Sequence, residues 1–138
     1  MATGETRQEE DARPLSPHLQ VYTPQINMVM SIIHRVTGAA LYFGTVFLAI
    51  WLIAAASGPE QFDLVNTLFG SLPGRLIMVG YTWALLHHMF GGIRHLVWDT
   101  GRGFELGQVD FLCWFTLIAS LASTVAIWIV AGGFTGVF

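Results

Sequence analysis

Four side chains able to hold a proton, a metal or an anion fall within one short stretch of apolar sequence. They are His87, His88, Arg94 and His95 in Leu-Leu-His-His-Met-Phe-Gly-Gly-Ile-Arg-His-Leu-Val-Trp-Asp, residues 85–99. The run that carries them begins near Leu76 and is long enough to span a bilayer. An ionisable group at that depth costs about 2.5–3.5 kcal/mol unless it is paired, ligated or solvated, so such residues point to function. A second polar cluster, Ser31, His34 and Arg35, opens another apolar run.

Helical spacing separates the possible chemistries. Residues on an α-helix rise about 1.5 Å each and return to one face every three to four positions. His88, Gly91, Gly92 and His95 therefore share a stripe, while His87 and Arg94 begin the neighbouring one. The two glycines leave room for something flat and wide, as a haem is, with an imidazole as axial ligand. His88 and His95 lie about 10 Å apart along the axis, too far to ligate one iron from opposite faces. If His88 binds a haem, the second ligand comes from elsewhere. Plainer readings fit the same residues: Gly-Gly permits close helix packing, a histidine near a helix end reaches back to the interface, and intramembrane histidines relay protons. Ser31 and Arg35 put a hydroxyl and a guanidinium one turn apart on one face, with His34 and Gly38 on the adjoining stripe. Together they can hold a small oxygen-rich ligand, although a lone arginine near a helix end also serves as an interfacial anchor.

The elements that must carry these residues follow from composition. The chain has 138 residues, 54% hydrophobic and only 11% charged, with mean hydropathy +0.59. Soluble domains carry about 25% charged residues, so this is an all-α integral membrane protein embedded in a lipid bilayer. Three transmembrane helices are expected at 28–56, 74–98 and 111–131, joined by loops at 57–73 and 99–110 and flanked by a tail at 1–27 and a C-terminus at 132–138. From Val36 the first span runs about 20 residues without a charge, the number needed to cross about 30 Å of hydrocarbon. Ser120, Ser123 and Thr124 in the third span suit packing or bonds to the helix backbone. Cys113 is alone and can form no internal disulfide. All six basic residues are arginines and the net charge is −3, which offers no surface for nucleic acid. The acidic start, with Glu5, Glu9, Glu10 and Asp11, matches neither a secretory signal nor a transit peptide. Pro14, Pro17 and Pro24 forbid a continuous helix, which suits a lead-in loop or an extended segment along the membrane surface or a soluble partner.

Arginine placement suggests an orientation. Arg7, Arg13, Arg94 and Arg102 outnumber Arg75 on the other side. The positive-inside rule puts the N-terminus and the 99–110 loop in the cytoplasm. The start of the first span and the end of the second then meet at one face, making Ser31, His34, Arg35, Arg94 and His95 candidates for a shared site. His88 would lie about 15 Å inside the interface marked by Trp98.

Three motifs carry a resemblance: Arg13-Pro14-Leu15-Ser16-Pro17-His18, Ser31-Ile32-Ile33-His34-Arg35-Val36-Thr37-Gly38, and His88 followed by Gly92-Ile93-Arg94-His95. Over nearly its whole length the chain resembles the cytochrome b556 subunits of succinate dehydrogenase, the membrane anchors of respiratory complex II in the bacterial inner membrane. The resemblance implies three transmembrane helices forming half of a heterodimeric haem-binding bundle. It makes His88 an axial ligand of haem b, with the other axial histidine supplied by a second, smaller anchor subunit. Ser31 and Arg35 match ubiquinone-site residues, and His34 and Arg35 resemble positions near the haem propionates. Arg94 and His95 take supporting roles; His87 has none assigned. An iron-sulfur subunit and a flavoprotein subunit would deliver electrons from succinate, for which this chain supplies no binding residue. Three other readings remain: a fumarate reductase anchor using menaquinone, a stand-alone membrane b-type cytochrome, and a cofactor-free structural or assembly protein.

Overall fold

A computed structural model describes residues 21–132, all helical where regular and without strands among them. The expectations for the tail up to residue 20 and for residues beyond 132 lie outside the described residues. Helix α1 covers Ile26–Ser57, α2 Pro59–Gly70, α3 Leu72–Asp99 and α4 Leu106–Val130. α1, α3 and α4 are apolar and long enough to cross a membrane. At about 1.5 Å per residue they span roughly 48, 42 and 37 Å, so each exceeds the hydrocarbon core.

The chain between the first two spans differs from the loop expected there, because it contains the twelve-residue helix α2. Gly58 ends α1 at φ 128°, a conformation that disfavours side chains, and Pro59 starts α2 at its first position. α2 is tied back to α1 by Trp51 Nε1 donating to Asn66 Oδ1 at 3.1 Å. Ser71 then caps α3, accepting from the Gly74 amide at 3.3 Å. At the other end Trp98 Nε1 donates to the Gly103 carbonyl at 3.0 Å, closing the turn between α3 and α4.

α3 is the central element and packs against both α1 and α4. Its buried side is Ala84, His87, Gly91 and Arg94, an alternating three-four spacing that keeps a narrow seam facing its neighbours. α1 answers with Met30, Thr37 and Gly44, one every seven residues, and α4 with Cys113, Thr116, Ser120, Thr124 and Trp128. Small residues at these positions let backbones approach closely, which is where attraction between helices comes from in a lipid environment. The α4 hydroxyls are satisfied within their own helix: Thr116 donates to the Leu112 carbonyl at 2.8 Å, Ser120 to Leu117 at 2.9 Å and Thr124 to Ser120 at 2.7 Å. The outward faces are apolar, with Tyr42, Phe43, Ile53, Leu96 and Ile118 all exposed.

Candidate functional site

The polar residues of α1 and α3 meet where the two helices cross. The His34 ring lies face to face with that of His88, centroids 4.0 Å apart and planes within 3°. His95, two turns along α3 from His88, tilts against His34 at 5.3 Å. Two glycines make this approach possible. A Cβ on Gly91 would run into His34 Nδ1, and one on Gly38 would stand 2.9 Å from His88 Cε1.

Hydrogen bonding fixes which nitrogen of His88 is free. Its Nδ1 is 3.1 Å from the carbonyl oxygen of His34. A carbonyl only accepts, so Nδ1 carries the proton and the Nε2 lone pair is left for a metal. This is the arrangement metal-ligating histidines adopt, with the far nitrogen donating to a backbone carbonyl. The donor set therefore fits a b-type haem at His88. His87 does not fit one: it is fully buried, its Nδ1 is 3.3 Å from Ser120 Oγ, and Trp83 packs on its ring at 5.2 Å. Because Ser120 spends its proton on the Leu117 carbonyl, it accepts from His87 Nδ1. The other nitrogen of His87 is buried without a partner, so the ring is wedged between α3 and α4 with no space for a macrocycle. Stacked rings point their lone pairs sideways, so His34 and His88 cannot clasp one iron between them. Among the described residues no group of three or more His, Cys, Asp and Glu could hold a bare metal ion.

Ser31 and Arg35 stand on α1 with Arg35 Nη2 3.4 Å from Ser31 Oγ, and Arg35 is exposed. On the same helix His34 keeps its Nδ1 buried and without a hydrogen-bond partner. The residues expected to form one shared site are thus only partly brought together. His34, His88 and His95 cluster, with Ser31 and Arg35 on the same helix as His34. Arg94 turns away: it is 3% exposed, its Nη1 lies 3.5 Å from Cys113 Sγ and its guanidinium sits 5.2 Å from the Trp98 ring centre. Thr37, to which the sequence reading gave no role, joins the cluster, with its Oγ1 3.5 Å from His88 Nδ1. Its place one turn after His34 on the same helix was the available signal. A cleft of about 480 Å³ lies near the opposite end of α3, lined by Trp51, Phe69, Arg75, Thr82 and Trp128, and holds none of these residues.

Comparison with known proteins places the chain in a family. Residues 9–130 match the family described as succinate dehydrogenase/fumarate reductase transmembrane subunit. The chain is similar to the succinate dehydrogenase cytochrome b556 subunit of Rickettsia bellii (strain RML369-C), 38% identical over 125 residues, covering 90% of this chain and 98% of the relative. The protein of the same name from Paracoccus denitrificans is 44% identical over 96 residues, 70% of this chain and 74% of the relative. The mitochondrial succinate dehydrogenase cytochrome b560 subunit of Sus scrofa is 35% identical over 117 residues, 83% of this chain and 69% of the relative. The chain therefore belongs to the succinate dehydrogenase/fumarate reductase transmembrane-subunit family.

Proposed function

We propose that the chain holds haem b through His88 and offers Ser31 and Arg35 to ubiquinone, as the membrane anchor of a succinate dehydrogenase. The relatives carry succinate dehydrogenase names, which favours this direction over fumarate reduction with menaquinone. The observation that carries the site reading is the bond from His88 Nδ1 to the His34 carbonyl at 3.1 Å, because it readies Nε2 as a ligand.

A b haem, when bound, would supply a one-electron store. The chain's own residues do the rest. Arg35 donates toward Ser31 Oγ, which leaves the serine proton free to be given to a quinone carbonyl oxygen. The remaining guanidinium N–H groups would be available to the same oxygen, to stabilise the negative charge that reduction puts on it. Fixed donors in a dry site stabilise such charge better than water does, and charge-assisted bonds are about twice as strong as neutral ones. The resemblance also gives His34 and Arg35 to the haem propionates, and His34 stacks on His88 at 4.0 Å.

The exposed Arg35 needs cover before its pocket is dry, and the resemblance gives the haem's second histidine to another chain. Both requirements call for the smaller anchor subunit, with the iron-sulfur and flavoprotein subunits docked at the Ser31 end. The surplus of arginine there orients that end, and the N-terminus, toward the cytoplasm of a bacterial inner membrane.

The test is a dithionite-reduced minus oxidised absorbance spectrum of the complex isolated through a tag on this chain. A b-type signal with copurifying flavin is expected, and His88→Leu should remove the signal from a complex that still assembles. An unchanged haem signal in that variant removes His88 from the ligand set.

A further inference from the structure

Thr37 is 2% exposed on the seam of α1, and its hydroxyl oxygen lies 2.9 Å from the carbonyl oxygens of both Ile33 and His34. The His34 carbonyl also receives His88 Nδ1–H at 3.1 Å. As part of an α-helix it is the acceptor for the amide four residues on, at Gly38. A carbonyl oxygen has two lone pairs, so three donors compete for it.

We propose that Thr37 is a positioning residue that sets the strength of the His88 Nδ1–H bond by sharing the His34 carbonyl, and so tunes the electron donation of the His88 imidazole. The inference rests on His88 being the haem ligand. A stronger bond from Nδ1 makes an axial imidazole more basic, and a more basic ligand favours the oxidised iron. With the hydroxyl present the carbonyl is partly occupied and the potential is held up. The ring has little room to escape this control, since a Cβ at Gly38 would stand 2.9 Å from its Cε1 and the His34 ring stacks on it at 4.0 Å.

The experiment is a potentiometric titration of the haem in the complete complex carrying Thr37→Val, which keeps the shape and removes the hydroxyl, and Thr37→Ser, which keeps the hydroxyl. The ferric haem's electron paramagnetic resonance spectrum is recorded alongside. In Thr37→Val the ratio of oxidised to reduced haem at a fixed ambient potential should rise about three- to tenfold, a downward shift of roughly 30–60 mV at about 59 mV per tenfold for one electron. Haem content should not change, and Thr37→Ser should titrate as the unsubstituted protein does. An unmoved potential with haem retained overturns the inference while leaving His88 as ligand. An upward shift does so too, by making the Thr37 oxygen itself an acceptor for Nδ1–H. If Thr37→Val loses haem, Thr37→Ala is titrated instead with the same expectation, and haem loss in both assigns Thr37 to packing and overturns it. Failure of the underlying reading is separate: it would appear as an unaltered haem signal in His88→Leu.

Discussion

Gly91 and Gly92 are neighbours in one motif, yet alanine at the two positions should have opposite effects. Either substitution gains about 0.8–1 kcal/mol of helix propensity. At Gly92 no atom lies within 4 Å of the added methyl, so within the chain that gain stands alone. At Gly91 the methyl would overlap His34 Nδ1, with Cε1 at 2.9 Å and Cγ at 3.4 Å. Three atoms of one ring are involved, so the whole imidazole must move rather than a flexible tip. It can do so only by leaving its 4.0 Å stack on His88 or by pushing α1 from α3. Overpacking of this kind costs about 1–3 kcal/mol. Because the propensity term cancels between the two variants, their stabilities should differ by about 1–3 kcal/mol, roughly five- to 150-fold in the unfolding equilibrium. Unfolding of the detergent-solubilised complex, followed by circular dichroism, measures the difference, and haem absorbance per chain reports whether the His34–His88 stack is disturbed. Gly91→Ala as stable as Gly92→Ala, with an unaltered haem spectrum, would refute the close approach of α1 and α3.

Three further outcomes are expected. Arg35→Ala should leave succinate oxidation by a soluble dye intact and cut quinone reduction about 10- to 100-fold, the factor for losing a charge-assisted hydrogen bond of about 1.5–3 kcal/mol; equal loss in both assays would count against a quinone role. Ser120→Ala takes away the acceptor of His87 Nδ1 and should lower stability by about 0.6 kcal/mol and at most about 1.7, with no change in the haem spectrum, since His87 faces α4. Gly44→Ala would drive a methyl into the Tyr81 ring, with Cζ at 2.6 Å and Cδ2 at 2.7 Å, and should reduce the membrane-inserted yield, whereas Gly80→Ala, which meets nothing within 4 Å, should not.

Length and hydropathy were enough to read the three spans from the sequence, because a bilayer demands about 20 apolar residues whatever the rest of the fold does. α2 was not read, although Gly58-Pro59 is a helix-start signal, because a twelve-residue helix between spans has no thickness of membrane to match. The site was legible as a stripe: His88, Gly91 and His95 face α1 as 3.6-residue spacing requires. Arg94 was grouped with Ser31 and Arg35 by depth, and depth says nothing about direction around the helix axis. One residue of rotation, about 100°, separates His95 beside His34 from Arg94 against Cys113. Thr37 stayed silent because a threonine in an apolar helix ordinarily bonds only its own backbone, and nothing in the sequence says that the same carbonyl serves a histidine on α3.

The same rotation explains why two adjacent histidines have different work. In hydrocarbon no water is present to satisfy a polar side chain, so each must find a partner within the protein or bind one. His87 spends its donor on Ser120 and is fully enclosed, which ties α4 to α3 and leaves no route for a ligand. His88, about 100° further round, spends its donor on a carbonyl of α1 and keeps the opposite nitrogen open. Exchanging the two roles would require rotating α3 by about a quarter turn, which would take Gly91 from beneath His34 and Arg94 from Cys113 together. The packing of α4 against α3 is thus what fixes which way His88 faces, and substitutions at Ser120 or Cys113 that loosen α4 should disturb the α1–α3 site only when they let α3 turn.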